Sequence, residues 1–177
     1  KLLDQLLTKH QPRAIINFAA ESHVDRSIQG PDDFIQTNII GTFRLLEEAR
    51  SYYQALIGES KQQFRFLHVS TDEVYGTLTK TDPAFKEIHP YKPNNPYSAS
   101  KAGGEELAVA YENTYGLPIY ITHTMNVFGE RQHPEKYIPM CIKRARDGEK
   151  ITIHSDHSKT VAGSRHYIHA EDVADAV

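Results

Sequence analysis

Three short apolar segments, separated by segments of helical length, constrain the fold of this chain most. Segments 14–20, 64–70 and 119–124 are apolar and bounded by polar residues, as buried strands of a parallel sheet are. Apolar periodicity predicts the remaining elements: helices at 1–10, 31–53, 97–115 and 138–147, a helix beginning at 170, and a short strand at 151–154. This alternation predicts βαβ units with right-handed crossovers, and therefore a doubly wound parallel α/β sheet.

Composition excludes several other classes of protein. The 177 residues are 39% hydrophobic, enough for a buried core, and the net charge of −3 argues against a nucleic-acid partner. The single cysteine, Cys141, excludes an internal disulfide framework and a four-cysteine zinc site, and we expect no metal. No apolar run reaches the roughly 18 residues of a membrane helix, and residues 1–10 lack the apolar core of a signal peptide. We therefore expect a cytoplasmic chain with no membrane partner.

Polar residues follow each predicted strand, at 19–23, 70–75 and 124–129. Ligands of parallel α/β sheets bind outside the carboxyl ends of the strands. The first of these segments also contains small residues, which let a flat ligand approach the backbone. The alternative is an ordinary polar loop in which Ser22 caps a helix.

Two groups of residues could perform acid–base chemistry. Tyr97 and Lys101 lie one helical turn apart, and a nearby ammonium would lower the pKa of the tyrosine; the alternative is a pair of surface residues. Asp72 and Glu73 follow the second strand and could act as acid and base if their environments separate their pKa values. The alternative there is a cap, since Thr71 and Asp72 are good cap residues.

Four segments, in this order, carry a family resemblance: AAESHVDRSI (19–28), STDEVYG (70–76), PYSASKA (96–102) and NVFGERQHPEKYIP (126–139). Together they resemble the extended short-chain dehydrogenase/reductase superfamily. The Thr71–Glu73 segment is most similar to the nucleotide-sugar 4,6-dehydratases, and among them to those acting on dTDP-glucose. The resemblance implies a Rossmann-like fold and a hydro-lyase that uses NAD.

The resemblance also implies roles for individual residues. Tyr97 would take the proton of the sugar 4-hydroxyl, while Lys101 would bind the nicotinamide ribose and lower the pKa of Tyr97. Glu73 would remove the proton on carbon 5, Asp72 would protonate the departing 6-hydroxyl, and Thr71 would bind the 4-oxygen. Cofactor-binding positions would be Phe18, Ala19, Ala20, Glu21, Ser22, Thr37, Ser70, Tyr97, Lys101 and Val127. Substrate-binding positions would be Ser22, Thr71, Asn126, Lys136, Tyr137, Thr152, Ile153, His154 and Arg165.

Some positions depart from the pattern of these dehydratases. Val127 stands where they often have a second asparagine, and His166–Tyr167 replaces the usual Asp-Trp, which leaves the nucleotide base open. None of the ten glycines forms the G-x-x-G-x-x-G turn that binds pyrophosphate in this superfamily, so we expect a fragment of a longer enzyme. The expected domains are a partial NAD-binding domain with the catalytic residues (1–130), a nucleotide-sugar lobe (131–165) and a return to the first domain (166–177).

The predicted function is an NAD-dependent dehydration of dTDP-glucose to dTDP-4-keto-6-deoxyglucose, in deoxysugar or rhamnose synthesis. Two alternatives stay open at this point: a 4-epimerase or decarboxylase of the same superfamily, and a non-catalytic dimerising remnant. The resemblance further implies a homodimer in which the helices predicted at 31–53 and 97–115 pack as a four-helix bundle.

Overall fold

The computed structural model of this protein describes residues 1–79, 81–155 and 158–177. They form two compact units, Lys1–His123 and Thr124–Val177.

The first unit contains a sheet with the strand order β1-β2-β3. Strand β1 is Ala14–Asn17, β2 is Arg65–Thr71 and β3 is Ile119–Thr124. The last residue of β3, Thr124, is the first residue of the second unit. Strands β1 and β2 are parallel, with Ala14 opposite Arg65 and Asn17 opposite His68. The predicted mixed α/β arrangement with parallel strands is therefore confirmed.

Strand β1 ends three residues earlier than predicted. Asn17 is buried, and its Oδ1 accepts a hydrogen bond from the N–H of Ala19 at 3.2 Å. This local bond turns the backbone away from the sheet, as asparagine side chains commonly do.

Among its described residues, the first unit also has six α-helices, one π-helical segment and one short 3₁₀ turn. The helices are α1 (Leu2–His10), α2 (Val24–Gln29), α3 (Asp32–Phe34), α4 (Thr42–Ala55), α5 (Gly58–Gln63) and α6 (Pro96–Tyr115). A π-helical segment, Ile35–Gly41, joins α3 to α4, so the helix predicted at 31–53 is one run with a wider turn inside it. Helices α2 and α5 were not predicted. The N-cap of α2 is His23, whose Nδ1 accepts from the N–H of Arg26 at 3.5 Å, and not Ser22.

The main hydrophobic core lies between α4, α6 and the strands. Its buried residues are Leu46, Ala49, Phe64, Phe66, Ala108, Tyr111, Leu117 and Ile119. A second cluster, Val74, Tyr75 and Ala102, is covered by Phe85 and Tyr91 from the long segment between β2 and α6. Helix α6 contributes Ala108 and Tyr111 to the main core and Ala102 to the second cluster, so both clusters hold it in place.

Helix α6 has clear start and stop signals. The Asn95 side chain accepts from the N–H of Ser98 at 2.8 Å, the Ser98 hydroxyl accepts from the N–H of Asn95 at 3.3 Å, and Pro96 occupies the first turn. Gly116 ends the helix in the left-handed conformation at φ 68°. These caps place Tyr97 in the first turn.

Compared with those of the first unit, the described residues of the second unit are less buried. Its elements are β4 (Asn126–Phe128), α7 (Tyr137–Arg146), β5 (Tyr167–His169) and α8 (Ala170–Ala176), and β4 pairs in parallel with β5. The strand predicted at 151–154 is wrong: these residues are exposed and have no strand partner, although the His154 carbonyl accepts from the N–H of Gly163 at 2.9 Å. Within the described ranges, no helix is both long and apolar enough to cross a membrane.

Candidate active site

The end of β2 carries two carboxylates on a tight turn. The residues Asp72–Tyr75 form a 3₁₀ turn capped by Thr71, whose Oγ1 accepts from the N–H of Glu73 at 3.3 Å and lies 3.4 Å from Oδ1 of Asp72. The capping alternative for Thr71 is thus correct. It does not compete with a chemical role, because the cap fixes the backbone from which the two half-buried carboxylates project.

Tyr97 faces this turn from the start of α6. Its backbone N–H donates to Oγ of Ser27 at 3.2 Å, and its ring meets Phe34 edge to face, with centroids 6.4 Å apart. The Thr71 side chain lies close enough to the Tyr97 hydroxyl to lower its pKa, so the turn and the start of α6 are neighbours. The structure therefore brings together Thr71, Asp72 and Tyr97, a grouping that the family resemblance implied.

The environment of Tyr97 favours its neutral form. Burial, together with the charges of Glu73 and Asp72 and against the opposing effect of Thr71, raises the pKa of Tyr97 to about 12. The net shift of this pKa is upward, whereas the sequence predicted a downward shift caused by Lys101. The reason is that the phenol is buried and that two carboxylates lie near it.

Lys101 is buried, with 4% of its surface exposed, and its Nζ donates to the carbonyl oxygen of Val69 at 2.8 Å. Burial lowers the pKa of Lys101, and the charge of Glu105 opposes that shift. The ammonium group is thus anchored to β2, one residue before Ser70.

A buried asparagine connects the segment after β1 to α6. Asn38 lies in the π-helical segment; its Nδ2 donates to the carbonyl of Glu21 at 3.0 Å and to Oγ of Ser100 at 2.8 Å, and its Oδ1 accepts from the N–H of Glu21 at 2.9 Å. Ser100 in turn donates to the carbonyl of Tyr97 at 2.8 Å. Sequence reasoning missed Asn38; the available signal was a lone amide within an apolar helical run. Single π turns often occur at functional sites.

The predicted cofactor positions of the first unit lie around this edge in different environments. Phe18 is 61% exposed, and Ala19 and Ser22 are exposed as well. Ala20, Glu21 and Thr37 are half-buried, and Ser70 is buried with its hydroxyl donating to Glu105.

The remaining predicted residues belong to the second unit, where they make local contacts. Nδ2 of Asn126 donates to the carbonyl of His166 at 3.2 Å, and the Arg165 guanidinium donates to the carbonyl of Ser164 at 2.8 Å. A hydrogen bond with the Cys141 thiol raises the pKa of the exposed Tyr137. The others are Val127 in β4, Lys136 at the N-cap of α7, and the exposed Thr152, Ile153 and His154. The roles predicted for all these residues stay predictions.

Comparison with known proteins decides the family. The family model described as GDP-mannose 4,6 dehydratase matches residues 1–177. The chain belongs to this family. A dTDP-glucose 4,6-dehydratase of Xanthomonas campestris pv. campestris is 54% identical over 155 residues, which is 88% of this chain and 44% of that protein. The dTDP-glucose 4,6-dehydratase of Neisseria meningitidis serogroup B is 47% identical, over 99% of this chain and 48% of that protein.

Solved structures of family relatives confirm the Rossmann-like fold. The dTDP-glucose 4,6-dehydratase of Streptomyces venezuelae, crystallised with NAD bound, matches with a TM-score of 0.84 at 40% identity, over 98% of this chain and 49% of that one. The UDP-glucose 4-epimerase of Thermus thermophilus, in complex with NAD, matches with a TM-score of 0.83 at 26% identity, over 98% and 54% of the two chains. This chain thus spans about half the length of the relatives it matches.

Proposed function

We propose that this protein is an NAD-dependent nucleotide-sugar 4,6-dehydratase acting on dTDP-glucose. One observation carries the proposal: the turn with Asp72 and Glu73 lies close enough to Tyr97 for both carboxylates to shift the pKa of its phenol. A dehydration needs a base for a hydroxyl, a base for a carbon-bound proton and an acid for the leaving oxygen. These three side chains can fill those roles at one strand end.

The residues around the strand ends fit the nicotinamide-ribose part of NAD. The exposed ring of Phe18 and the small side chains of Ala19 and Ala20 offer an apolar surface after β1. The hydroxyl of Tyr97 and the ammonium of Lys101 are polar groups suited to ribose oxygens. When bound, NAD would supply reversible hydride transfer with the sugar.

We infer the following roles for Tyr97 and for the two carboxylates of the turn. Tyr97, in its phenolate form, accepts the proton of the sugar 4-hydroxyl. With carbon 4 as a ketone, the proton on carbon 5 is acidic, and Glu73 removes it. Asp72 donates a proton to the 6-hydroxyl, so that the carbon–oxygen bond breaks and water leaves.

The charges of Asp72 and Glu73 support this assignment of roles. An acid must be protonated before it acts, and protonation of Asp72 removes one of the two negative charges that raise the pKa of Tyr97. The same event that prepares Asp72 as an acid thus increases the fraction of Tyr97 that is phenolate, the form that can accept a proton. Glu73, which must stay ionised, has the larger effect on the tyrosine.

The second candidate function is a nucleotide-sugar 4-epimerase, favoured by the structural match to the Thermus thermophilus epimerase. Epimerisation loses no water, so it would leave Asp72 and Glu73 without a role. The pair therefore favours dehydration.

We further infer that two copies associate through α4 and α6 as a four-helix bundle. Large apolar side chains on these helices and the adjoining π segment are partly exposed: Ile35, Phe43, Val109 and Tyr115. A single-copy mass at micromolar concentration in light scattering would contradict the dimer.

We also propose the domain organisation. Residues 1–130 and 166–177 would form the NAD-binding domain, and residues 131–165 would form the nucleotide-sugar lobe. The product would enter deoxysugar or rhamnose synthesis.

The activity is tested by incubating the full-length protein with dTDP-, UDP-, CDP- and GDP-glucose and with GDP-mannose. We expect a 4-keto-6-deoxy product from dTDP-glucose, detected by its absorbance in alkali and by a mass lower by one water. An epimer of unchanged mass would support the second candidate. No product from any of the five sugars would contradict both.

A further inference from the structure

Glu105 is a fully buried carboxylate in the middle of α6, one helical turn after Lys101. It accepts hydrogen bonds from Oγ of Ser70 at the end of β2 and, at 2.8 Å, from Nε2 of His123 in β3. A carboxylate without exposed surface needs such donors to stay charged. Each oxygen of this buried carboxyl group thus has a hydrogen-bond donor from a different strand.

The partners of Glu105 are themselves fixed. The hydroxyl of Tyr75 lies 3.2 Å from Nδ1 of His123. A neutral His123 with its proton on Nε2 satisfies both contacts, since it donates to Glu105 and accepts from Tyr75. The carboxylate therefore does not depend on a protonated histidine for its hydrogen bonds.

Glu105 and Lys101 hold consecutive residues of β2. Nζ of Lys101 donates to the carbonyl of Val69, and Glu105 accepts from the hydroxyl of Ser70. A carbonyl dipole offsets only part of the cost of burying an ammonium, and the negative charge that favours the charged form of Lys101 is that of Glu105. These two side chains join α6 to the strand directly before Thr71.

We propose that Glu105 is a positioning residue of the reaction: it is the buried counter-ion that keeps Lys101 an ammonium, and it anchors Ser70 at the catalytic edge. The link to catalysis rests on the proposed function, in which Lys101 serves the site. The role of Glu105 as the counter-ion of Lys101 does not rest on the proposed function.

The other titratable groups around the pair come from several elements: His68 of β2, Tyr75 of the 3₁₀ turn, Tyr91 of the long segment, Tyr97 of α6 and His123 of β3. Burial, with the nearby Lys101, lowers the pKa of His68 to about 4, so His68 carries no charge at neutral pH. The pKa values of Tyr75 and Tyr91 are raised by burial, so both tyrosines are neutral as well.

The direct test is an NMR titration of the full-length protein labelled with ¹³C at lysine Cε. The variant Lys101→Arg assigns the signal. We expect the pKa of Lys101 to fall by about one pH unit in Glu105→Gln, which keeps the shape and loses the charge, and by less in Glu105→Asp. The matched control is Glu106→Gln on the exposed neighbouring residue, which should leave this pKa unchanged. Equal pKa values in the wild type and the Glu105 variants would overturn the proposal; if Glu105→Gln fails to fold, the comparison with Glu105→Asp decides.

A second readout separates positioning from stability. The alkaline limb of the profile of kcat/KM against pH should move to lower pH in the order wild type, Glu105→Asp, Glu105→Gln. Loss of kcat without movement of that limb would mean a structural role alone and would contradict the proposal. A wild-type protein that forms no product would refute the proposed function. The lysine titration would still decide whether Glu105 is the counter-ion of Lys101.

Discussion

Helices α6 and α7 both carry residues predicted to form the site, but their surroundings differ. In α6 the predicted site residues lie near buried polar residues such as Ser100 and Glu105. Hydrogen bonds from the π-helical segment, β2 and β3 fix the orientation of these two buried side chains. Helix α7, as far as the structure describes it, has no buried residue, and the hydrogen bond of its Tyr137 is to Cys141 of the same helix. Roles in proton transfer can thus be argued from contacts in α6, while roles in α7 need binding measurements.

The largest effect should come from the phenol of Tyr97. Tyr97→Phe removes the proton acceptor but keeps the ring contact with Phe34, so we expect kcat to fall about 10³-fold with little change in Tm. Steady-state kinetics and thermal unfolding measure both. Tyr120→Phe, at an exposed tyrosine of β3, is the control and should stay near wild type. A Tyr97→Phe variant with more than a tenth of wild-type kcat would remove Tyr97 from the mechanism.

Glu73→Gln should reduce water release by about 10²- to 10³-fold, because the amide cannot take the proton from carbon 5. Binding of dTDP-glucose, measured by calorimetry, should change little, since the amide has nearly the same shape. Glu112→Gln, on an exposed residue of α6, is the control. Water release at the wild-type rate would show that Glu73 is not the base.

His68 should make the first unit sensitive to acid. Burial lowers its pKa from 6.5 to about 4, so between these values the unfolded chain binds a proton that the folded protein does not. Its contribution to stability is complete above about pH 6.5 and is lost as the pH falls to about 4, by about 3 kcal/mol in total. Urea unfolding at pH 7 and pH 4 should show this difference reduced in His68→Gln and retained in the control His10→Gln. The same loss in wild type and His68→Gln would contradict the assignment.

Two neighbouring glycines test how closely α6 packs. A Cβ at Gly104 would lie 2.7 Å from the carbonyl oxygen of Asn38, whereas one at Gly103 would lie 3.1 Å from the flexible end of Ile39. We expect Gly104→Ala to lower the free energy of unfolding by about 1–2 kcal/mol, and Gly103→Ala to change it little, since alanine also favours the helix. Equal effects in urea unfolding would show that the contact with Asn38 is not tight.

The smallest effect on stability is expected in the second unit. Arg165→Ala removes one hydrogen bond to the neighbouring carbonyl of Ser164, so the free energy of unfolding should change by less than about 0.5 kcal/mol. If Arg165 binds the nucleotide, KM for dTDP-glucose should rise while Tm stays constant. An unchanged KM would remove Arg165 from the substrate site.

Sequence reasoning worked best where the signal is local. The apolar run of β2 and the helical pattern of 97–115 were sufficient to predict the strand that ends at Thr71 and the helix that begins near Tyr97. The three-residue strands β4 and β5 are too short to show a period, and 151–154 has a strand-like composition but no strand beside it. Asn38 and Glu105 were missed because their partners lie 17 to 62 residues away along the chain.

The most direct test of the account is the mass of the product formed from dTDP-glucose in heavy water. Removal of the carbon 5 proton by Glu73, loss of water and reprotonation from solvent predict a product lighter by one water and carrying one deuterium on carbon 5. A product of unchanged mass, or a dehydrated product without deuterium at carbon 5, would contradict the roles proposed for Asp72 and Glu73.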